Sequence, residues 1–175
     1  MESIREILRS NKKPKEIVST ATQMILENPK LFNELMTILK TGSDVEKGTC
    51  ADIMKHVTAT KPEIAEPFID EIIEYINYKA PRVKWGVPES IGNIATKSPQ
   101  KVDKAIPFLL KNTPENKDNS TVIRWCAAYA LSEIAKASVE LNLIEKIKDI
   151  SEKETNNGVK NVYLKALKHI EKKKK

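Results

Sequence analysis

The sequence predicts an all-α protein built from a stack of helix pairs. Three observations predict this fold class. One apolar helical pattern recurs five times along the 175 residues. A second apolar-periodic run follows most copies of the pattern, usually after a proline at the same offset. The segments between these pairs are polar or contain helix breakers, as turns between helices do.

The recurring pattern places apolar residues at i, i+4 and i+7, which is the stripe of a helix buried along one side. Its clearest copy is VIRWCAAYALSEIAK at 122–136, where Ala127, Leu131 and Ile134 form the stripe. Successive copies are 33, 37, 40 and 36 residues apart. The other four copies consist of Ile17, Ala21 and Met24, of Cys50, Met54 and Val57, of Val87, Ile91 and Ile94, and of Tyr163, Leu167 and Ile170.

A second helix is predicted after each of the first four copies. Pro29, Pro62 and Pro99 stand at equivalent positions, which fits proline in the first turn of a helix, where its missing N–H costs nothing. Val139 replaces the proline in the fourth unit, although the helical pattern persists there. The predicted helices span 2–10, 14–27, 30–40, 45–59, 63–77, 82–97, 100–111, 120–136, 139–153 and 158–173.

Three further prolines, Pro67, Pro88 and Pro107, fall inside predicted helices, where kinks or late helix starts are expected. We interpret the chain as one domain, 1–175. Its predicted parts are a capping helix at 1–11, units at about 12–41, 42–80, 81–118 and 119–155, and a partial unit at 156–175.

Paired helices with a period near 37 to 40 residues resemble HEAT repeats, which are close to the armadillo group. The first HEAT helix typically opens with a Val-Arg pair, which Ile123-Arg124, Val83-Lys84 and Val159-Lys160 resemble. The segments Pro67-Phe68-Ile69 and Pro107-Phe108-Leu109 resemble the start of its second helix. The resemblance covers roughly residues 14–172. It implies a right-handed α-solenoid of about five HEAT-like units.

HEAT arrays hold other macromolecules on a curved surface, so the resemblance implies a non-catalytic scaffold or adaptor that binds another protein.

The sequence contains no phosphate-binding loop, serine-nucleophile elbow or HExxH motif. Because Cys50 and Cys126 lie near core positions, they are expected to be small buried hydrophobes. His56 and His169 occupy equivalent positions three units apart, too far to share a metal. We therefore expect no catalytic residue, cofactor or metal.

The net charge of +6 is concentrated at the C-terminus. Residues 160–175 hold seven lysines and one acid, and the rest of the chain has equal numbers of acidic and basic residues. A neutral body argues against binding nucleic acid through its phosphates.

No apolar run approaches about 18 residues, so no membrane span is expected. The N-terminus does not resemble a signal peptide, and two cysteines without a CxxC motif favour a reducing cytoplasm.

The candidate partner-binding residues lie on one flank of the first helices. Trp85 and Trp125 stand 40 residues apart at equivalent positions, beside Lys84 and Arg124, and Tyr129 follows Trp125 by one turn. Packing between adjacent units is one interpretation of the tryptophans. Another is an exposed anchor for a protein partner, since Trp, Tyr and Arg dominate binding hot spots.

One enzyme family has to be weighed against the scaffold hypothesis. DNA-alkylation-repair glycosylases are built from HEAT-like repeats and use aromatic residues and an acid in a basic cleft. This chain lacks a Trp-Trp-Asp-type cluster, and only Glu89 and Glu133 follow its tryptophans closely. A nucleic-acid-binding or base-repair module is therefore the alternative function.

The predicted second helices carry opposite charges in neighbouring units. Residues 63–74 hold five acids, and the corresponding stretch of the next unit holds Lys97, Lys101, Lys104 and Lys111. These charges are expected to form a ladder between neighbouring helices. Such a ladder would either neutralise itself on a solvated surface or form a groove of two signs that orients a partner.

Overall fold

The protein is all-helical. The computed structural model describes residues 2–175, and no β-strand occurs within them. The α-helices are α1 (Ile4–Leu8), α2 (Pro14–Glu27), α3 (Leu31–Thr41), α4 (Asp44–Thr60), α5 (Ile69–Ile73), α6 (Pro81–Ala95), α7 (Pro99–Val102), α8 (Ile106–Leu110), α9 (Thr121–Ser138), α10 (Leu141–Lys153) and α11 (Asn157–Lys173). Short 3₁₀ helices occupy Pro62–Ile64, Glu66–Phe68 and Asp103–Ala105. None of the described helices has the length and apolarity needed to cross a bilayer.

The long helices pack against one another in chain order. Helix α2 contacts α4, α4 contacts α6, α6 contacts α9, and α9 contacts α11. The predicted apolar stripe is fully buried in α4, α6 and α9, which confirms the repeated pattern there. In α2 and α11 the stripe is only partly buried, because Ile17, Met24 and Leu167 are half-exposed. These two helices lie at the ends of this row and each have one neighbour within it, whereas α4, α6 and α9 each have two.

Two glycines allow α4, α6 and α9 to approach closely. A Cβ placed on Gly86 would lie 2.7 Å from the carbonyl oxygen of Ala51 in α4. A Cβ on Gly92 would lie 2.7 Å from Cε1 of Tyr129 and 3.2 Å from Cα of Ala130, both in α9. Backbone atoms of Ala51 leave no room for a side chain at Gly86, and the Tyr129 ring would have to shift to admit one at Gly92, so both glycines set the spacing of this layer.

The predicted continuous helices at 63–77 and 100–111 are wrong. The first is divided into two 3₁₀ turns and the short α5, and the second into α7, a 3₁₀ turn and α8. Pro67 and Pro107 explain the interruptions, because a proline ring has no N–H to donate and clashes with the carbonyl four residues earlier. The late helix starts expected at these two prolines are thereby confirmed, whereas α6 continues through Pro88.

The prolines expected in the first turn of each second helix are confirmed in two of three units. Pro62 begins a 3₁₀ helix and Pro99 begins α7. Pro29 instead precedes α3, and its carbonyl accepts a hydrogen bond from the N–H of Phe32 at 3.0 Å. Helix α10 begins at Leu141 rather than at the predicted residue 139, because Val139 ends α9 in the left-handed conformation, with φ 52° and ψ 32°.

Lys47 is a buried cation that holds three segments together. Its Nζ donates to the carbonyl oxygens of Leu39 and Lys40 at 2.6 and 2.8 Å, which are among the last carbonyls of α3. The same Nζ lies 5.7 and 5.5 Å from the ring centroids of Tyr75 and Tyr78. Lys47 therefore combines a helix C-terminal cap with cation–π contacts.

The ladder of opposite charges between neighbouring units is confirmed for three pairs. Lys97 lies 3.4 Å from Glu63, Lys104 lies 3.1 Å from Asp70, and Lys101 pairs with Glu66. Lys111 instead lies over the ring of Phe108, 5.4 Å from its centroid. Because these pairs are at the surface, where water screens the charges, each contributes little to stability. Within these three pairs the opposite charges neutralise each other, as the first interpretation of the ladder expects.

Candidate functional site

One exposed aromatic group of the described chain is Trp125, stacked on Tyr129; these two residues are called the aromatic stack below. They are four residues apart in α9, so their side chains emerge one above the other. Their ring centroids are 5.8 Å apart and the planes differ by 2°. Trp125 is 39% exposed, which leaves one large aromatic surface open to solvent.

Tyr129 holds the aromatic stack in place through a chain of hydrogen bonds that crosses three helices. Its hydroxyl donates to Oδ1 of Asn93 in α6 at 2.5 Å. Nδ2 of Asn93 donates to Oγ1 of Thr58 in α4 at 3.0 Å, and that hydroxyl donates to the carbonyl of Met54 at 2.8 Å. Burial raises the pKa of Tyr129 to about 12, with Glu133 and Glu89 adding to the effect. The hydroxyl therefore remains a donor at neutral pH.

Trp85 does not join the aromatic stack. It is half-buried in α6, and its indole Nε1 is buried without a hydrogen-bond partner among the described residues. Its equivalence to Trp125 in the sequence is therefore not matched by equal exposure. The structure brings together Trp125 and Tyr129 of the predicted site and leaves Trp85 one helix away.

The Arg124 side chain forms an ion pair with a buried residue of the same chain. Its guanidinium pairs with Glu154, whose side chain is fully buried, and only 16% of the Arg124 side chain is exposed. Oε1 of Glu154 also accepts the backbone N–H of Asn156 at 3.0 Å, just before α11. Lys84, at the equivalent position of α6, is half-buried and forms no ion pair with any described residue. Arg124 thus joins α9 to the segment that precedes α11.

The aromatic stack belongs to a wider surface, which we call the open face. It consists of the positions that line up with Trp125, Tyr129 and Glu133 in the other units at the repeat spacings. These positions are Lys15, Ser19 and Gln23 in α2, Asp52 and His56 in α4, Trp85, Glu89 and Asn93 in α6, and Asn161, Lys165 and His169 in α11. All of them are exposed or half-exposed. The remaining equivalent position, Gly48, is buried.

Glu89 is a half-buried carboxylate at the centre of the open face. Oε1 of Glu89 accepts a weak hydrogen bond from Sγ of Cys126 at 3.8 Å, and Glu89 has no ion pair within residues 2–175. Burial raises the pKa of Glu89, while the positive charge of Lys55 opposes the shift. Burial also raises the pKa of Cys126 to about 12, with Glu89 as the next cause.

The cysteines are small buried hydrophobes, as expected from their positions. Cys50 and Cys126 are both free thiols and both buried. Burial raises the pKa of Cys50 to about 12, so neither thiol ionises near neutral pH. Because the thiolate is the nucleophile, neither side chain is poised for covalent chemistry. In the described chain, no three His, Cys, Asp or Glu side chains lie close enough together to hold a metal ion.

Sequence reasoning missed Asn93 and Glu154, although both order the site. Asn93 had one available signal, since it is a polar residue four positions after Glu89 on the helix side that also carries Trp85. Glu154 had none, because it lies in a polar link 30 residues from Arg124. Pairs of that separation become visible only when the fold brings α9 against the start of α11.

No model of a protein family matches this chain, and no curated protein is significantly similar to it.

Proposed function

We propose that this protein is a non-catalytic scaffold that binds another protein through the aromatic stack. The proposal rests on one observation: Trp125 is 39% exposed and lies flat on a tyrosine that is itself fixed to the neighbouring helix. An exposed tryptophan with a fixed orientation loses little conformational entropy on binding. Tryptophan and tyrosine are also the residues that most often dominate the energy of protein interfaces.

The proposal includes the architecture that would carry this surface, a right-handed solenoid of about five HEAT-like units. Packing of the long helices in chain order supports it, as does the buried stripe repeated in α4, α6 and α9. In such an array each unit contacts its neighbours, and one surface of every unit contributes to a continuous binding face. In this protein, the open face is the surface that would bind the partner.

Affinity capture from the source lysate tests the scaffold function. The immobilised proteins would be the wild type, Trp125→Ala, and Leu141→Ala as a matched control, because Leu141 is 62% exposed on α10 and outside the open face. We expect Trp125→Ala to lose the proteins that the wild type retains, while Leu141→Ala keeps them. Both variants should unfold within a few degrees of the wild type. Equal capture by all three proteins would contradict the proposal.

Binding of nucleic acid is the alternative, and the same tryptophan is the observation that favours it, since bases stack on exposed aromatic side chains. Glu89, a carboxylate of the open face that has no ion pair within residues 2–175, opposes it because it repels phosphates. A gel-shift assay with duplex and single-stranded oligonucleotides at about 50 mM salt separates the two functions. Salt-dependent binding that requires Trp125 would replace the scaffold hypothesis.

A further inference from the structure

A groove of about 680 Å³ lies between α2 and α4, two helices away from the aromatic stack. Lys15, Ser19 and Gln23 of α2 form one wall, and Asp52, Lys55 and His56 of α4 form the other. The groove therefore occupies the α2 and α4 part of the open face. Val18 and Ala59 add apolar surface to its lining. Its volume lies within the range of sites that hold a ligand of several residues or a drug-sized molecule.

The groove carries an excess of positive charge. Its lining contains three cations, Lys15, Lys55 and Arg82, and one carboxylate, Asp52. Asp52 is already neutralised by Arg82, whose guanidinium nitrogen lies 2.5 Å from Oδ2 of the aspartate. Lys15 and Lys55 have no ion pair with any residue from 2 to 175. Two ammonium groups without an ion pair thus remain on opposite walls of one groove, and the charge of Lys55 also acts on Glu89 of α6.

The placement of these charges suits separate anionic groups, such as side-chain carboxylates, better than one phosphate held in an arginine fork. Arginine recognises phosphate with a bidentate fork, but the one arginine of the groove is bound to Asp52 and Thr49. The free cations are two lysines, which act as separate point charges. They lie on two different helices, so they fit a ligand that carries anionic groups at two places along its length.

The neighbouring carboxylate of Glu89 limits how long an anionic ligand can be. Beyond the groove, the open face continues through Glu89 in α6, which has no ion pair within residues 2–175, and through Glu133 in α9, which pairs with Lys136 at 2.6 Å. A long polyanion such as a nucleic acid would have to cross Glu89 and would be repelled there. A short acidic segment whose charged residues extend no further than α4 would avoid this repulsion.

We propose that the groove between α2 and α4 binds a short acidic peptide segment, with Lys15 and Lys55 pairing with its carboxylates and Val18 and Ala59 contacting its methylene groups. This inference deepens the proposed function, since it gives a chemistry for part of the protein partner. It uses a different surface from the aromatic stack, so the two can fail separately. Charge complementarity of this kind favours rapid and specific association.

The test is a titration of ¹⁵N-labelled protein with acetylated hexaglutamate amide, followed by amide chemical shifts at about 50 mM salt. The groove variant is Lys15→Glu/Lys55→Glu, and the matched control is Lys165→Glu/Lys168→Glu, which makes the same charge change on exposed positions of α11. Lys15→Gln/Lys55→Gln removes the charges without reversing them, in case the first variant is poorly folded.

We expect the shifts to concentrate at residues 14–23 and 52–60. The affinity should fall at least about tenfold in both groove variants and less than about twofold in the α11 control. Shifts centred on α11, or an equal loss of affinity in groove and control variants, would overturn the proposal. Tighter binding of a single-stranded DNA 12-mer to the same groove residues would overturn it as well.

Trp125→Ala separates this inference from the proposed function. It should bind hexaglutamate like the wild type, because Trp125 does not line the groove. If hexaglutamate fails to bind while Trp125-dependent capture persists, only the groove proposal is wrong. If hexaglutamate binds in the groove while capture does not depend on Trp125, the aromatic stack is not the anchor and the groove proposal stands.

Discussion

Tyr129 of α9 and Asn93 of α6 join two long helices through one hydrogen bond of 2.5 Å from the phenolic hydroxyl to Oδ1. The same tyrosine packs against Gly92 and carries the exposed ring of Trp125. One side chain therefore connects the packing of the helix layer to the candidate binding surface. A substitution of Tyr129 should therefore reduce the stability of the helix layer, and its effect on binding should follow from that loss.

Tyr129→Phe should lower the free energy of unfolding by about 1–2 kcal/mol, because Oδ1 of Asn93 loses its donor in a partly buried site. Urea denaturation measures this change. Tyr78→Phe is the matched control: its hydroxyl donates to Asp44 at 2.6 Å in an exposed position, so water can replace the bond at little cost. Equal effects of the two substitutions would show that the Tyr129–Asn93 bond does not stabilise the layer.

Replacing each of three glycines with alanine should change stability by an amount that depends on the atoms the new methyl group would contact. Gly86→Ala should cost the most, on the order of 3 kcal/mol, because its Cβ would meet backbone atoms of Ala51 that cannot move alone. Gly92→Ala should cost about 1–3 kcal/mol, since the Tyr129 ring can shift. Gly158→Ala should have the smallest effect, within about 1 kcal/mol, because its nearest contact, 3.2 Å away, is the side chain of Asn156 rather than a neighbouring helix. Thermal unfolding of the three variants checks the order, which a smaller effect at Gly86 than at Gly158 would contradict.

The sequence predicts the helix layer well, because the layer depends on a periodic pattern. The predicted helix at 14–27 coincides with α2, and the stripes of α4, α6 and α9 are buried as expected. The outer segments are predicted less well. Apolar periodicity continues through Pro67 and Pro107, and the breaks come from a local backbone clash that periodicity does not register.

The candidate site is only partly predictable for a different reason. Spacing of four residues places Trp125 and Tyr129 on one side of α9, and the structure brings them together. The same spacing argument treats Trp85 and Trp125 as equals, although one is half-buried and the other exposed. Their exposure depends on the side chains of neighbouring helices, and a single sequence does not show which of those come close.

Arg124 has two conceivable roles, and its stability effect separates them. Arg124→Met should cost about 3–5 kcal/mol of stability, because Glu154 would remain buried without its cation. Adding Glu154→Gln should recover much of the loss, since the uncompensated charge is then removed. Lys84→Met is the control at the equivalent position of α6 and should change stability by about 0.5 kcal/mol or less. If Arg124→Met instead resembles Lys84→Met in stability but abolishes capture of a partner, Arg124 is a binding residue.

Val139 is the non-glycine residue of the described chain that has a positive φ, at 52°. A β-branched side chain in this conformation costs about 1–2 kcal/mol. Val139→Gly should therefore stabilise the protein by about 0.5–1 kcal/mol, after allowance for the greater freedom of glycine in the unfolded chain. Val139→Ala keeps a Cβ and should gain less. Because Val139 is 44% exposed, neither change removes much buried surface. A lower midpoint of urea unfolding for the glycine variant would argue against strain at this turn.

Glu89 should make stability depend on pH in a direction opposite to that of most surface carboxylates. Burial raises its folded-state pKa above the ordinary value of 4.5, so the native protein binds this proton more readily than the unfolded chain does. As pH rises from the ordinary carboxyl pKa to the raised value, the contribution of Glu89 to the free energy of unfolding falls. Above the raised pKa, the destabilisation caused by the charged Glu89 side chain no longer changes with pH.

Glu89→Gln removes that cost and should stabilise the protein at pH 7, by less than about 1 kcal/mol because the carboxyl is partly exposed to water. The gain should shrink as pH falls and disappear below about pH 4, where Glu89 is protonated in both states. Urea unfolding of wild type and variant from pH 4 to 8 measures it, with Glu145→Gln at an exposed position of α10 as the control. A gain that grew toward low pH would mean that the native environment of Glu89 favours the charged carboxylate, contrary to its burial beside Cys126.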